Sequence, residues 1–114
     1  MNGVLIDAHL KAGSAIRAGR GDAPVGLTLS MNEYQAVEGG QQKMEKIRRG
    51  MEDIYLEAAR GDDFIGVQCY SRSRVGAEGV LGPEEGVETT QMGYEFWPAA
   101  MEATIRRAWE VTEG

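Results

Sequence analysis

With 114 residues, 42% of them hydrophobic and 26% charged, the chain has the size and composition of one folded domain, residues 1–114. Its 18 Asp and Glu outnumber 12 Lys and Arg, and the net charge of -6 disfavours nucleic acid and anionic membranes as partners. A single cysteine, no apolar run near the ~20 residues of a membrane span and no evident secretion signal together favour a cytoplasmic location.

The first predicted elements are a helix and a strand. Apolar residues recur at three- and four-residue spacing from Val4 to Ala18, which predicts an amphipathic helix. The glycines and proline of residues 19–24 end it. Val25 to Met31 carries apolar or small residues on both alternate faces, which predicts a strand buried in a parallel sheet. A polar loop is predicted from Asn32 to Gln41.

The same order of helix and strand then repeats. The apolar stripe of Lys43 to Ala59 predicts a helix, and Phe64 to Tyr70 predicts a second buried strand. Ser71 to Gln91 is rich in glycine and acidic residues, so we expect a long loop of the active-site type or one that contains a small hairpin. A last helix is predicted from Pro98, which is tolerated in a first turn, to about Val111.

Alternating helices and strands predict an α/β fold with a parallel sheet and helices outside it. Two parallel strands alone leave two open edges and two apolar faces, which natural proteins avoid exposing. We therefore expect that further strands complete the sheet.

Two stretches of the chain carry a family resemblance. Residues 61–72, GDDFIGVQCYSR, followed by residues 90–98, TQMGYEFWP, resemble the sixth barrel strand and the start of the sixth helix in glycoside hydrolase family 1, the β-glucosidase family. Residues 22–29 are similar to the family's fifth strand, and residues 6–9 to the helix before it. The resemblance implies a partial (βα)8 TIM barrel with two parallel strands and about three helices. Self-association would complete it, with a homodimer as the simplest assembly.

The resemblance also implies that the family's two catalytic carboxylates are missing. Retaining glycosidases place these groups ~5 Å apart, and this family carries them in Asn-Glu-Pro and Thr-Glu-Asn-Gly motifs on strands four and seven. The sequence contains neither motif: residues 32–34 lack the proline, and residues 112–114 lack the asparagine. We therefore predict no catalytic residue in this chain, and a β-glucosidase-like fragment without normal glycosidase activity.

The resemblance places ligand-facing residues at the end of the second strand. Tyr70 matches a family tyrosine whose hydroxyl contacts the nucleophile, and Gln68 stands where the family usually has a pocket asparagine. With Glu95, these are the candidate substrate-binding residues for a small sugar or glycoside. The simpler interpretation is that Gln68 and Tyr70 are polar side chains ending a buried strand.

Two alternative functions stay open. One is a small hydrolase with residual or newly gained glycosidase or esterase activity through Glu33, Tyr70 or Glu95, because strand ends form the reactive face of such barrels. The other is a noncatalytic sugar-binding or interaction module. Its candidate aromatic residues for a sugar platform are Tyr94, Phe96 and Trp97, with Tyr34 elsewhere, and packing at the helix entry is the favoured interpretation of these aromatics.

The single histidine and single cysteine do not indicate a metal or cofactor site. One His, one Cys and scattered carboxylates supply no recognisable ligand spacing, so we predict no metal and no cofactor. His9 is expected to be structural. Cys69 alternates with Gln68 and Tyr70, so we expect it on the opposite strand face, toward the helices.

Overall fold

A computed structural model describes residues 2–20 and 22–114 of the chain. In chain order the elements are α1 (Asn2–Arg20), β1 (Gly26–Ala36), α2 (Gln41–Arg48), α3 (Ile54–Ala58), β2 (Phe64–Gly76), β3 (Gly79–Leu81) and α4 (Ala99–Thr112). A π-helical turn, Arg49–Asp53, joins α2 to α3, and a 3-10 turn, Ala59–Gly61, follows α3. Because α2, the π turn and α3 are continuous, the described chain has three helical segments, close to the predicted number.

The two predicted strands pair in parallel, as the alternation of elements indicated. The register sets Gly26 beside Phe64 and Met31 beside Cys69. Glycine is required at position 26, because a Cβ there would overlap the backbone carbonyl and ring of Phe64. The α/β class and the parallel pair are therefore confirmed.

Both parallel strands are longer than predicted. β1 continues past Met31 to Ala36, and β2 continues past Tyr70 to Gly76. The prediction of loops from Asn32 and from Ser71 was therefore wrong for residues 32–36 and 71–76.

The reason for the longer strands is cross-strand pairing of polar residues. Glu33 lies opposite Arg72, and Gln35 lies opposite Arg74, after a register shift that follows Met31. Across the two strands, Arg72 Nη1 donates to Gln35 Oε1 at 3.0 Å. Polar residues whose sequence pattern predicts a loop therefore continue both strands of the sheet.

A short hairpin makes the sheet mixed. β3 pairs antiparallel with the end of β2, from Arg74 opposite Leu81 to Gly76 opposite Gly79, and the strand order is β1-β2-β3. The hairpin expected within residues 71–91 is present. The sheet accordingly has three strands rather than the two that were predicted.

The hydrophobic core lies between the parallel pair and the helices. Met31, Leu56 and Ala108 form its buried centre. Partly buried side chains pack around them: Leu29, Ile65, Val67 and Val111. The odd-numbered positions of both strands thus face the helices. Cys69 continues this alternation and is partly buried, in keeping with its predicted orientation.

The opposite face of the parallel pair is open to solvent. Thr28, Ser30, Gln68 and Tyr70 are exposed there, and Phe64 is half exposed. In a closed barrel this face would point inward. The described chain therefore has one packed face and one open face.

The first helix is loosely attached to this core. It presents several large apolar side chains to solvent: Val4, Leu5, Leu10 and Ile16. Despite its 19 residues, neither it nor another helix within the described ranges combines the length and the apolar character needed to cross a bilayer.

Candidate functional site

The candidate site lies at the carboxyl ends of β1 and β2, where residues 88–97 fold against the sheet. The Phe96 backbone N–H donates to the Glu88 carbonyl at 2.8 Å, and Thr89 forms an isolated antiparallel bridge with Glu95. The buried Ser71 hydroxyl donates to the Glu95 carbonyl at 2.8 Å. These contacts fix Tyr94, Glu95 and the following residues beside the strand ends.

The centre of the site is a bidentate ion pair. Arg72 Nε donates to Glu95 Oε1 at 3.1 Å, and Nη2 donates to Oε2 at 2.8 Å. Both side chains are largely buried, with exposures of 16% for Arg72 and 9% for Glu95. The hydrogen bond to Glu95 raises the pKa of Arg72 above its ordinary value. The pair is of the strong, geometrically specific kind.

Three further side chains join this pair in what we call the Arg72 network: Glu33, Gln35, Arg72, Glu95 and Trp97. Arg72 Nη1 donates to Gln35 Oε1 at 3.0 Å, and the guanidinium carbon lies 3.7 Å from the Trp97 ring centroid. Trp97 Nε1 donates to Glu33 Oε1 at 3.0 Å, and Gln35 Nε2 donates to Glu33 Oε2. The network is therefore a chain of hydrogen bonds that the cation–π contact between Arg72 and Trp97 closes into a ring.

The Arg72 network engages both carboxylates near the strand ends. Each oxygen of Glu95 accepts from Arg72, while the oxygens of Glu33 accept from Trp97 and Gln35. A nucleophilic carboxylate must present an oxygen to its substrate, and a general acid must present a proton. In this arrangement the two groups hold the network together.

A second cluster, which we call the Tyr70 platform, consists of Gln68, Tyr70 and Tyr94. The Tyr70 hydroxyl donates to Gln68 Oε1 at 3.3 Å. The Tyr70 and Tyr94 ring centroids are 5.7 Å apart with an interplanar angle of 33°. Tyr70 is 53% exposed, so its ring is accessible. The platform thus offers aromatic faces next to an amide and hydroxyls.

The structure brings two of the three predicted substrate-binding residues together. Gln68 and Tyr70 lie side by side on the open face of the sheet, and Tyr94 connects them to the neighbouring loop. The Glu95 side chain instead points into the Arg72 network. Its part in ligand binding stays a prediction; in the structure both of its carboxylate oxygens accept from Arg72.

Sequence reasoning missed the role of Arg72. The signal that could have found it is a charged residue directly after a buried strand, since a cation there needs a partner. Its partner is 23 residues away, and only the path of the loop brings the two together.

A small cavity of about 200 Å³ lies beside both clusters. It separates the β2–β3 hairpin from the loop at residues 93–95. Its polar lining includes Asn32, Ser71 and Arg74. The volume suits ordered water or one small polar group, so the Tyr70 platform is the larger accessible surface.

The single histidine is far from this site. His9 Nε2 lies 2.6 Å from Asp62 Oδ2, and both side chains are largely buried. The pair joins α1 to the segment before β2, at the amino end of the strand. In the (βα)8 barrels that the sequence resemblance implies, that end serves stability rather than chemistry, in keeping with the structural role predicted for His9.

Metal-ligating side chains do not converge in the part of the chain that is described. Across residues 2–20 and 22–114, no three His, Cys, Asp or Glu side chains are grouped so as to hold a metal ion.

A buried carboxyl lies on the helix side of β1. Glu52, in the π-helical turn, is 1% exposed, and its Oε2 accepts the Asn32 backbone N–H at 2.7 Å. Oε1 has no hydrogen-bond partner among the described residues. Burial, with a smaller contribution from Asp53, raises the pKa of Glu52 to about 7 against the opposing effect of the Asn32 N–H.

The surroundings of Glu52 explain how a charged segment is tolerated there. Asp53 accepts from Arg107 at 2.6 and 3.2 Å, and Arg48 lies 4.0 Å from the same carboxylate. Burial, and secondarily the charge of Glu52, raises the pKa of Tyr34. Since it anchors the β1 register shift, Glu52 supports the site from behind rather than contacting a ligand.

Comparison with known proteins adds the family context. No protein-family model and no curated protein matches the chain. Among solved structures, β-glycosidase BGL167 is 45% identical with a TM-score of 0.89 over 97% of this chain. β-Glucosidase 1317 is 35% identical with a TM-score of 0.86 over 98% of this chain.

The match covers nearly the whole of this chain but a minor part of each solved structure. The chain spans 27% of β-glycosidase BGL167 and 27% of β-glucosidase 1317. The chain therefore resembles a fragment of a β-glucosidase, as the sequence stretches at residues 61–72 and 90–98 predicted.

Proposed function

We propose that the chain is a β-glucosidase-like fragment that contacts a small sugar or glycoside at the Tyr70 platform without hydrolysing it. One observation carries the proposal: the platform is exposed, while the two neighbouring carboxylates, Glu33 and Glu95, are engaged within the Arg72 network. The solved structures that it resembles are named as a β-glycosidase and a β-glucosidase, which supports glycosides as the ligand class.

The absence of turnover follows from the chemistry of glycoside hydrolysis. The reaction needs a proton donor and a nucleophile or base on opposite sides of the scissile bond. Neither family motif is in the sequence, and the oxygens of Glu33 and Glu95 accept hydrogen bonds from network partners. Breaking the network to free Glu95 would leave Arg72 unpaired in a largely buried place.

Sugar contact follows from the geometry of the platform. Aromatic rings pack against the apolar faces of pyranoses, and the Gln68 amide is placed to hydrogen-bond hydroxyl groups. Since the surface is open rather than enclosed, few contacts surround the ligand. We expect a dissociation constant of about 1 mM, which corresponds to about 4 kcal/mol of binding free energy.

Calorimetric titration with cellobiose tests the platform. Tyr70→Ala and Gln68→Ala are each expected to weaken binding by about tenfold or more, since one good contact is worth about 1.4 kcal/mol. Tyr34→Phe is the matched control, because Tyr34 lies on the helix side near Arg48 and Arg106. Equal affinity in the wild type and the platform variants would contradict the proposal.

Activity assays separate this proposal from the hydrolase alternative. We expect no release of product from aryl β-glucosides or aryl esters above the buffer rate. Turnover that is lost in Glu33→Gln, Tyr70→Phe or Glu95→Gln would instead show that these residues act as catalysts.

The proposal includes self-association and a cytoplasmic location. The open sheet face and free strand edges favour completion of residues 1–114, as one partial-barrel domain, by a second copy. Light scattering at micromolar concentration tests the assembly, and a compact monomer at every concentration would contradict it. The location rests on the sequence grounds given above.

A further inference from the structure

Among the described residues the sheet is open along the outer side of β1 and, over most of its length, along the outer side of β2, whose edge lies beside a groove. β1 pairs with one side of β2 from Phe64 onward, whereas β3 pairs with the other side only over Arg74–Gly76. Within the described chain, no strand pairs with that second side over residues 64–70. Backbone N–H and C=O groups along such an edge form a ready template for another strand.

An apolar groove runs beside this free edge. It has a volume of about 450 Å³ and lies between β2 and α4. Its apolar lining includes Ile65, Val67, Ile105 and Trp109. Trp109 is 69% exposed and Ile105 is 52% exposed, so side chains of an added strand would meet uncovered apolar surface.

Exposed apolar side chains beside the edge would contribute to an interface. Beside the edge, half-exposed Phe64 and Ile105 and the more exposed Trp109 offer about 300–400 Å² of side-chain surface. A specific interface buries about 800 Å² on each partner. Backbone pairing along residues 64–70 would add to this side-chain surface.

We infer that the occupant of this edge is β2 of a second copy, paired antiparallel about a two-fold axis at Val67. The inference rests on the self-association proposed above and names its surface. Residues 64–70, FIGVQCY, have the same character in both directions, with an aromatic residue at each end and no charge. The net charge of -6 therefore lies outside the paired segment.

This register makes both sheet faces complementary. On the open face, Phe64 lies opposite Tyr70 of the second copy, an aromatic pair that stabilises strand pairing. On the helix side, Val67 lies opposite its own copy, and Ile65 lies opposite Cys69. Those odd-numbered side chains enter the groove beside Trp109. The result is a row of four long strands made of two parallel pairs, with the short β3 of each copy still paired to its own β2.

Disulfide cross-linking tests the register. In Val67→Cys with Cys69→Ser, the two introduced thiols face each other across an antiparallel pair, where Cα atoms are about 4.5–5.5 Å apart. Mild oxidation is expected to convert most of the protein to a covalent dimer. In the matched control, Ile65→Cys with Cys69→Ser, the like positions are about 14 Å apart, beyond disulfide reach.

A third variant tests the same register at a different pair of positions, in case the Val67 variant does not fold. Ile65→Cys with Cys69 retained brings these two positions opposite each other, so it is expected to cross-link while its Cys69→Ser counterpart is not. Circular dichroism of the reduced proteins checks their fold. Equal cross-linking of the variants and their control, or none in either, overturns the inference.

The outcomes separate this inference from the proposed function. Dimers in light scattering without cross-linking at positions 65 and 67 would reject the β2 edge and leave self-association standing. Monomers at ~100 μM would reject both the edge and the self-association. The cross-linking variants retain Gln68, Tyr70 and Tyr94, so the sugar-binding titration of dilute, reduced protein tests the proposed function separately from the edge.

Discussion

The carboxyl ends of the parallel strands and the lateral edge of β2 are built on opposite principles. At the strand ends, the Arg72 network satisfies its charged and polar groups within one chain. Along the lateral edge, apolar side chains and backbone groups remain without cover from the described chain. The comparison shows that the chain satisfies its polar groups at the strand ends with its own residues, whereas part of its apolar surface stays uncovered.

The physical reason is that polar groups and apolar groups need different amounts of surrounding structure. Hydrogen bonds and ion pairs are satisfied by a few well-placed partners, and residues 33–35 with 72–97 contain enough of them. Apolar burial scales with the surface that a chain can fold upon itself, which is limited at this size. We therefore expect substitutions at the two regions to affect different measurements.

The largest expected effect is the loss of the network centre. Arg72→Ala removes the partner of a largely buried carboxylate and the cation stacked on Trp97. An uncompensated charge of this kind costs about 3 kcal/mol or more. Urea unfolding followed by circular dichroism is expected to show that loss.

The matched control for this prediction is Arg106→Ala. Arg106 pairs with Glu102 on the exposed surface of α4. Exposed pairs contribute about 0.5 kcal/mol or less. Equal losses in the two arginine variants would show that the Arg72 network carries no special share of the stability.

The next effect is a pH dependence centred on Glu52. Its pKa is raised from 4.5 to about 7 in the fold, so the folded state holds a proton that the unfolded state releases. Stability from this group is complete below pH 4.5 and is lost as pH rises to about 7. The loss is about 3 kcal/mol, since each pKa unit corresponds to 1.36 kcal/mol.

The substitution Glu52→Gln isolates that contribution. The amide oxygen can still accept the Asn32 N–H but does not ionise, so the variant is expected to lose less stability than the wild type between pH 5 and pH 8. Urea unfolding at both pH values measures the difference. Parallel pH profiles would contradict the assignment.

A substitution in the groove beside β2 is expected to have the smallest effect on folding stability but a large effect on dimer formation. Trp109 is 69% exposed, so Trp109→Ser should change the stability of dilute protein by about 0.5 kcal/mol or less. The dimer dissociation constant is expected to rise about tenfold or more, because aromatic residues dominate such contacts. Sedimentation of this variant and of Met92→Ser, an exposed control in the loop, measures it.

Local patterns were sufficient to predict the order of elements. The three- and four-residue spacing of α1 and the apolar run of residues 64–70 are local signals, and parallel pairing follows from their alternation. The extension of β1 beyond Met31 was not predictable, because Glu33 and Gln35 become strand residues only through partners on β2. In the sequence alone these polar residues have no recognisable partners, so their pattern predicts a loop.

The candidate site divides in the same way. Gln68 and Tyr70 are two positions apart on one strand, so their shared face follows from the period of a β-strand. The engagement of Glu95 by Arg72 depends on the path of a long loop. The burial of Glu52 depends on a π-helical turn that the residue pattern does not predict.

The most direct test of sugar contact without hydrolysis is one titration of isotope-labelled protein with cellobiose, followed by amide spectra and by glucose release. We expect saturable shifts at Gln68, Tyr70 and Tyr94, with no glucose formed above the buffer control. Spectra unchanged by cellobiose, or glucose released in proportion to the protein, would contradict the proposed function.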